Sequence, residues 1–208
     1  MRVAKEGWPF IALFWALLAG CWLLGWTVAF WVWLPVAVWC VAFFRDPVRQ
    51  GPRGADLAIA PADGKVVSIV TVDEPSFVGG RCQRVAIFMN VFDVHVNRYP
   101  MDGTVAYRHY NPGRFGHAAE DKASELNEQS SVGLQTARGK VLVRQIAGLV
   151  ARRIVTDHAV GAVVAQGERM GLIRFGSRVD VFLPLEATVA VRVGDRTEAG
   201  RTVIARWN

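Results

Sequence analysis

Cysteine is scarce in this sequence. The 208 residues hold three, Cys21, Cys40 and Cys82, too few and too scattered for a disulfide framework or a zinc cluster. Charge is scarce as well. Charged residues make up 20% of the chain and hydrophobic ones 52%, which excludes a disordered chain or a solvating tail. No glycine-rich phosphate cradle, metal-ligand spacing, sequence-scale repeat or low-complexity block stands out. The 24 Lys+Arg exceed the 18 Asp+Glu by a net +6. That moderate excess suits an anionic membrane surface at least as well as nucleic acid, and no nucleic-acid partner is expected. The length suits one domain with an appendage.

Charge is missing altogether from Gly7 to Phe44, a stretch that holds seven of the eight tryptophans. A soluble core helix is rarely so long and so apolar all round, so a membrane segment is expected. As one helix the stretch would run to about 57 Å. It would have to tilt by roughly 60° to fit a bilayer core, beyond the usual range. Two helices of about 17 residues fit better, with Gly20 and Gly25 bracketing the turn; whether they fully cross or form a shallow re-entrant hairpin stays open. Trp8, Trp15 and Trp22 recur every seven residues and share one stripe, read as lipid-facing bulk. Arg2 and Lys5 precede the run and Arg45, Arg49 and Arg53 follow it, which predicts a hairpin with both ends cytoplasmic. A cleaved signal peptide fits poorly, because its apolar core would be far shorter.

From Asp46 onward the chain changes. Asp46-Pro47 and Gly51-Pro52-Arg53-Gly54 punctuate a linker, and short β-branched runs follow. They are Lys65–Val70, Arg84–Met89, Val141–Ile146 after the turn at Ala137–Lys140, Gly171–Phe175, Val179–Leu183, Thr188–Val193 and Thr202–Ala205. Their spacing predicts a mainly β domain, an antiparallel sandwich or barrel, large enough to fold without staples. Ala118–Asn127 alone offers a modest helical pattern. Val164–Gly171 and Val193–Gly200 each set a glycine-bracketed polar turn between strands, as in lipoyl- and biotinyl-carrier hairpins.

The Gly176-Ser177 pair, taken alone, reads as a turn. Its context, Gly171-Leu172-Ile173-Arg174-Phe175-Gly176-Ser177-Arg178-Val179-Asp180-Val181-Phe182-Leu183-Pro184, resembles the processing-site signature of phosphatidylserine decarboxylases in their short bacterial and archaeal form. Other segments extend the resemblance in the right order. They are Phe44-Arg45-Asp46-Pro47-Val48-Arg49, Pro61-Ala62-Asp63-Gly64, Phe88 to Arg98 with its Asp93-Val94-His95, Asp121 to Glu125, and Asn127-Glu128. The resemblance implies a pyruvoyl enzyme that cuts itself between Gly176 and Ser177. The products would be a β-chain of residues 1–176 and an α-chain of residues 177–208, which stay partners. Residues 1–45 would be the anchor and 46–208 the catalytic domain. Glycine removes bulk beside the scissile carbonyl, and the Ser177 hydroxyl attacks it once a base takes its proton. Ser177 then becomes the covalent pyruvoyl group. It binds the substrate amine as a Schiff base and serves as an electron sink in place of pyridoxal phosphate, with no metal.

The resemblance also names the partners of Ser177. Asp63 would orient or activate the base, against the alternative of an acid in a β-turn. His95 stands on the polar face of an alternating stretch together with Asp93, and is the natural general acid/base. Asp93 is second tier, as a partner of His95 or a strand end. Arg98 stands where the long form of the family has a second histidine. It would hold a substrate carboxylate or phosphate, or else end a strand in solvent. His109, His117 and His158 match no motif, Lys122 and Glu125 read as a surface pair, and Cys82 shows no activating partner. The function implied is decarboxylation of phosphatidylserine to phosphatidylethanolamine at the cytoplasmic face of the cell membrane. A related serine-headgroup lipid of the archaeal type would need the same chemistry, and homo-oligomer formation is left open. The competing class is a non-enzymatic, membrane-anchored carrier-like adaptor. A carrier enzyme would need a modifiable lysine at a hairpin tip, where Arg169 and Arg196 stand.

Overall fold

The computed structural model describes residues 2–113, 127–148, 153–174 and 177–208. The expected helical pattern at Ala118–Asn127 lies, save for Asn127, outside the described residues, as do the Asp121–Glu125 segment, His117, Phe175 and Gly176. The chain divides into two compact units, Met1–Val48 and Arg49–Asn208.

The first unit is a helical hairpin. Helix α1 (Trp8–Leu23) and helix α2 (Thr27–Phe43) have 16 and 17 residues, close to the lengths the sequence predicts. Gly25 makes the turn at φ 69°, a conformation glycine adopts without a Cβ penalty. Gly20 does not share that role, since it lies within α1. Ile11, Leu18 and Cys21 of α1 and Ala37, Cys40 and Phe43 of α2 are buried, whereas Trp8, Trp15 and Trp22 are exposed on α1. A packed stripe and an open tryptophan stripe thus share one helix. The hairpin ends meet: strand β1 (Arg2–Val3) pairs with β2 (Arg45–Asp46), and Phe44 lies so close to Gly7 that a Cβ there would come within 2.4 Å of its ring. The segment Lys5–Leu23 is long and apolar enough to cross a membrane, and Thr27–Phe43 is a shorter apolar helix.

The second unit is β-rich, as predicted. Its strands are β3 (Leu57–Ile59), β4 (Gly64–Glu74), β5 (Gly80–Met89), β6 (Val96–Arg98), β7 (Gly103–Asn111), β8 (Gln129–Thr136), β9 (Gly139–Ala147), β10 (Ile154–Thr156), β11 (Val163–Val164), β12 (Arg169–Ile173), β13 (Ser177–Leu183), β14 (Thr188–Val189), β15 (Arg196–Thr197) and β16 (Val203–Arg206). Eight form a curled antiparallel half-barrel in the order β11-β7-β8-β9-β13-β5-β4-β15. Two small sheets, β10-β12-β6 and β14-β16-β3, complete the unit. The core gathers Val66, Ile87, Met89, Val143, Val179 and Val181 from the main sheet with Met170, Ile173 and Ile204 from the small ones. The alternation of each strand sends one set of side chains inward.

The two carrier-like turns are locked by a reciprocal pair of arginines. Arg98 Nη1 donates to the Gly167 carbonyl at 3.0 Å and Arg53 Nη1 to the Gly200 carbonyl at 2.9 Å. Each arginine also covers the other glycine. A Cβ at Gly200 would lie 3.0 Å from Arg98 Cδ, and one at Gly167 would lie 2.2 Å from Arg53 Nη2. Both glycines have positive φ, 84° and 76°.

The β4–β5 hairpin tip is held by one carboxylate. Glu74, with a side chain 3% exposed, accepts the N–H groups of Phe77 and Val78 at 2.9 and 3.0 Å and pairs with Arg144 at 3.2 Å. Burial pushes its carboxyl up, but the Val78 and Phe77 N–H groups and Arg144 outweigh burial, so the net direction is down. A lowered carboxyl stabilises the fold above its unfolded value, about 4.3, and loses that effect as pH falls through the lower folded value. Unfolding midpoints measured in denaturant at falling pH should therefore decline across this acid window, and Glu74→Gln should flatten the decline. An unchanged slope in the variant would show that Glu74 does not carry it.

Candidate active site

Ser177 opens β13, the strand with neighbours on both edges at the centre of the half-barrel. It pairs with Met89 of β5 on one side and Ala147 of β9 on the other. All seven residues of β13 are buried. Alternation turns Ser177, Val179, Val181 and Leu183 to one face and Arg178, Asp180 and Phe182 to the other. Arg178 and Asp180, 1% and 0% exposed, form a bidentate pair at 2.8 and 3.0 Å. Burial pushes the Asp180 carboxyl up and Arg178 pulls it down; the net direction is up. A buried pair of this kind is costly to break from one side, and it seats the residue that follows Ser177.

The segment between β12 and β13 is fastened at both ends. Upstream, Ile173 N–H donates to the His95 carbonyl at 3.3 Å and Arg174 N–H to the Arg153 carbonyl at 3.2 Å. Downstream, Ser177 enters the main sheet. The Ala147 edge is itself clamped, because Ala147 N–H donates to the Glu128 carbonyl and Asn127 Nδ2 to the Ala147 carbonyl, both at 2.9 Å. The Asn127-Glu128 element of the sequence resemblance thus holds the strand end that Ser177 pairs with.

His95 is fully buried, and its Nδ1 lies 3.0 Å from the Asp93 main-chain carbonyl. A carbonyl can only accept, so Nδ1 carries the hydrogen in this contact and the neutral ring keeps its lone pair on Nε2. The Asp93 carboxylate does not make this link. It accepts Asn90 N–H at 2.9 Å and pairs with Arg196. Asp63 is likewise engaged elsewhere. Its Oδ2 meets Arg49 Nη2 at 2.6 Å and its Oδ1 accepts Ala199 N–H at 2.7 Å. Burial raises the Asp63 carboxyl against the downward pull of Ala199 N–H and Arg49. Asp63 bears on Ser177 through the backbone. Gly64 lies against the Phe88 carbonyl, where a Cβ would come within 2.2 Å, and Phe88-Met89 is the stretch that pairs with Ser177-Arg178. Arg98 is three residues from His95, so extended chain sends it to the opposite face, where it joins the glycine clamp.

A buried polar chain ends at Ser177. Ser177 Oγ donates to Met89 Sδ at 3.4 Å, and Asn97 Nδ2 reaches the same sulfur at 3.6 Å. Asn97 Oδ1 accepts Gln145 Nε2 at 2.8 Å, Gln145 Oε1 accepts Thr156 Oγ1 at 3.2 Å, and Thr156 Oγ1 meets Ser130 Oγ at 2.9 Å. A thioether is a weak acceptor, so both Ser177 and Asn97 bring hydrogen-bonding capacity to a dry place. The reading of the sequence passed over Met89, Asn97, Gln145, Thr156 and Ser130. One signal was present: Asn97 is two residues after His95 and so shares its face.

The class the described residues define is a β-rich domain that buries candidate catalytic side chains, Ser177 at the head of a central strand and His95 just before β6. Comparison with known proteins narrows the class. The family model described as phosphatidylserine decarboxylase matches residues 36–205. A relative from Symbiobacterium thermophilum is 49% identical over 205 residues, covering 98% of this chain and 95% of the relative. Relatives from Magnetococcus marinus and Aromatoleum aromaticum are 47% and 45% identical over 207 residues, covering 98% of this chain and 94% of each relative. All three are named phosphatidylserine decarboxylase proenzyme. The chain belongs to the phosphatidylserine decarboxylase family, a family of carboxy-lyases.

The polar chain makes a stability prediction. Asn97→Leu removes the acceptor of the buried Gln145 Nε2, and an unmet buried donor costs about 1–3 kcal/mol. Denaturant unfolding should show a loss of that size. A variant as stable as the parent would mean that Gln145 finds another acceptor at no cost.

Proposed function

We propose that this chain decarboxylates phosphatidylserine to phosphatidylethanolamine after cutting itself between Gly176 and Ser177. Membership of the family over residues 36–205 carries the reading, and the position of Ser177 supports it. In the proposed maturation, His95 Nε2 takes the Ser177 proton and Oγ attacks the Gly176 carbonyl carbon. The C–N bond breaks and the amide becomes an ester. Removal of the Ser177 α-proton then expels the Gly176 carboxylate and leaves a dehydroalanine. Water converts this residue to a ketone with loss of ammonia. The double pairing of β13 keeps the attacking oxygen in place, and the fastening of Ile173 to His95 keeps the upstream chain beside the base.

The residues around position 177 fit such a group. Ser177 is fully buried beside the Met89 sulfur, and the Asn97 amide offers a hydrogen to an oxygen there better than to a sulfur. The pyruvoyl group would supply a carbonyl electron sink for the electrons left by carbon dioxide. His95 then returns a proton to the substrate carbon, and Asp63 is a positioning residue that fixes the Gly64–Phe88 corner. The apolar hairpin of residues 8–43 anchors the enzyme in the cell membrane with the β-rich unit on the cytoplasmic side; the basic residues flanking it support this orientation. Membership of an enzyme family answers the adaptor alternative. The serine headgroup is shared with archaeal-type lipids, so assays with both lipids decide between those substrates.

Chain cleavage on a denaturing gel and carbon dioxide release test the scheme separately. The parent should give a large chain and a small one of 32 residues, from Ser177 to Asn208. The small chain should leave only in denaturant, because β13, β15 and β16 pair with strands of the large chain. Ser177→Ala should give neither cleavage nor carbon dioxide, and a cleaved, active variant would reject the scheme. His95→Ala should mature slowly, and its matured fraction should decarboxylate about 10²–10⁴-fold more slowly, the usual worth of general acid/base help. Asp63→Asn should accumulate precursor; normal cleavage would reduce Asp63 to a turn former.

A further inference from the structure

The end of the half-barrel where Ser177 begins β13 also carries two exposed loops. The first leaves Met89, beside Ser177, and leads to His95. Within it Val91 and Phe92 are exposed, Phe92 to 71%. The second is the turn Arg192–Asp195 before β15. Arg196 of β15 pairs with Lys65 at the start of β4, and Lys65 with Phe88 near the end of β5, so this turn lies at the same end of the sheet. It is closed by Asp195 Oδ2 accepting Arg192 N–H at 2.8 Å and by Gly194 N–H donating to the Val66 carbonyl at 2.8 Å. Val193 at its tip is 61% exposed. Arg196 reaches across to Asp93 and ties the two loops together. Lys65, Arg192 and Arg196 are exposed around the apolar tips, while the Asp93 carboxylate is only 7% exposed.

We infer that these two loops are a lipid-contact surface of the β-rich unit. In it Val91, Phe92 and Val193 enter the headgroup–acyl boundary of an anionic phospholipid bilayer, and Lys65, Arg192 and Arg196 meet its phosphates. The inference rests on the proposed phospholipid substrate. Such a substrate cannot leave the bilayer without exposing its acyl chains to water, so the buried group at position 177 must be brought to the surface. Single exposed apolar residues are ordinary. Here three stand on two loops joined by an ion pair, and one of these loops links the strand partner of Ser177 to His95. An aromatic tip within a basic rim matches the interface, where apolar bodies are buried and cations stay at the phosphates.

The test uses the full chain reconstituted in vesicles of phosphatidylcholine and phosphatidylglycerol. An environment-sensitive fluorophore is attached at Phe92→Cys, and the native cysteines are buried. The reference position is Glu186→Cys, in the exposed segment after Leu183 at the other end of β13. Lipids spin-labelled near the headgroup should quench the probe at 92 and not at 186, and quenching should weaken without phosphatidylglycerol or at high salt. Absent quenching at 92, or equal quenching at both positions, overturns the inference. In a second measurement, Phe92→Ser combined with Val193→Ser should lower turnover of vesicle-embedded phosphatidylserine by about tenfold, the scale of withdrawing large apolar side chains from an apolar medium. The loss on a dispersed short-chain analogue should be smaller, with the gel pattern of cleavage reporting the fold. Equal losses on both substrates overturn the inference. Quenching at 92 in a protein that decarboxylates neither substrate would uphold the surface and reject the proposed function instead.

Discussion

The pairing of β13 along both edges is the constraint on which the rest of the site depends. Ser177 cannot shift without losing its register with Met89 and Ala147, and a one-residue slip would send Arg178 and Asp180 into the apolar core. Such a slip would strand a buried ion pair against Ile87, Met89 and Val143 of the neighbouring strands, at a cost far above that of a surface rearrangement. The register is therefore set by charge on one face and by aliphatic packing on the other. Everything placed against Ser177 inherits that register: the Met89 sulfur, the Asn97 amide, and Ala147 with its clamp from Asn127 and Glu128.

Two of the candidate site residues, Asp63 and Arg98, are tied into the frame of the β-rich unit. Asp63 is engaged by Arg49 and Ala199, and Arg98 by the Gly167 carbonyl. Both act where strands start or chains turn. Gly64 permits the close approach to Phe88 that begins β4, and the two arginines hold the glycine turns through which the chain enters β12 and β16. Residues that look catalytic in one dimension can thus serve the frame. A carboxylate beside a glycine in a tight corner is worth as much for the hydrogen bonds it accepts as for the proton it could carry.

Much of the fold was legible in the sequence because apolar patterning decides it. The charge-free run from Gly7 to Phe44 gave two helices with a glycine turn, and the runs Lys65–Val70, Arg84–Met89, Val141–Ile146 and Val179–Leu183 all lie in strands. Other strands escaped. β8, Gln-Ser-Ser-Val-Gly-Leu-Gln-Thr, is polar in composition yet almost wholly buried, because Ser130 bonds Thr156 and Ser131 bonds Arg144. Such satisfaction is a tertiary fact that no periodicity displays. β7 mixes Tyr107, Arg108, His109 and Tyr110, with much of it exposed, so no apolar run marks it. In the other direction, Thr188–Val193 reads as one strand, but only Thr188–Val189 pairs as one, and the turn closed by Asp195 takes the chain away. The histidine and serine stood out in the sequence because both sit in distinctive neighbourhoods. Asn97 did not, because its importance comes from the sulfur and the glutamine it meets.

Burial of Ser177 sets two demands against each other. Attack on a neighbouring peptide bond benefits from a dry, rigid site, where the hydroxyl is held and water cannot compete. A lipid substrate needs a route to the same atoms. The strands resolve this by dividing the work. β13 is buried along its whole length between β5 and β9, while β15 and β16 pair with β4 and β3, so a chain cut before Ser177, as proposed, would leave the C-terminal piece pinned. The upstream side is paired as well: β12 lies between β10 and β6, and Ile173 and Arg174 N–H groups donate to the His95 and Arg153 carbonyls. In the proposed maturation, breaking the link before Ser177 would therefore leave strand pairing on both flanks. The group at position 177 would stay fixed between β5 and β9, and any route for a lipid would have to open beside it, where the loop from Met89 to His95 leaves the sheet.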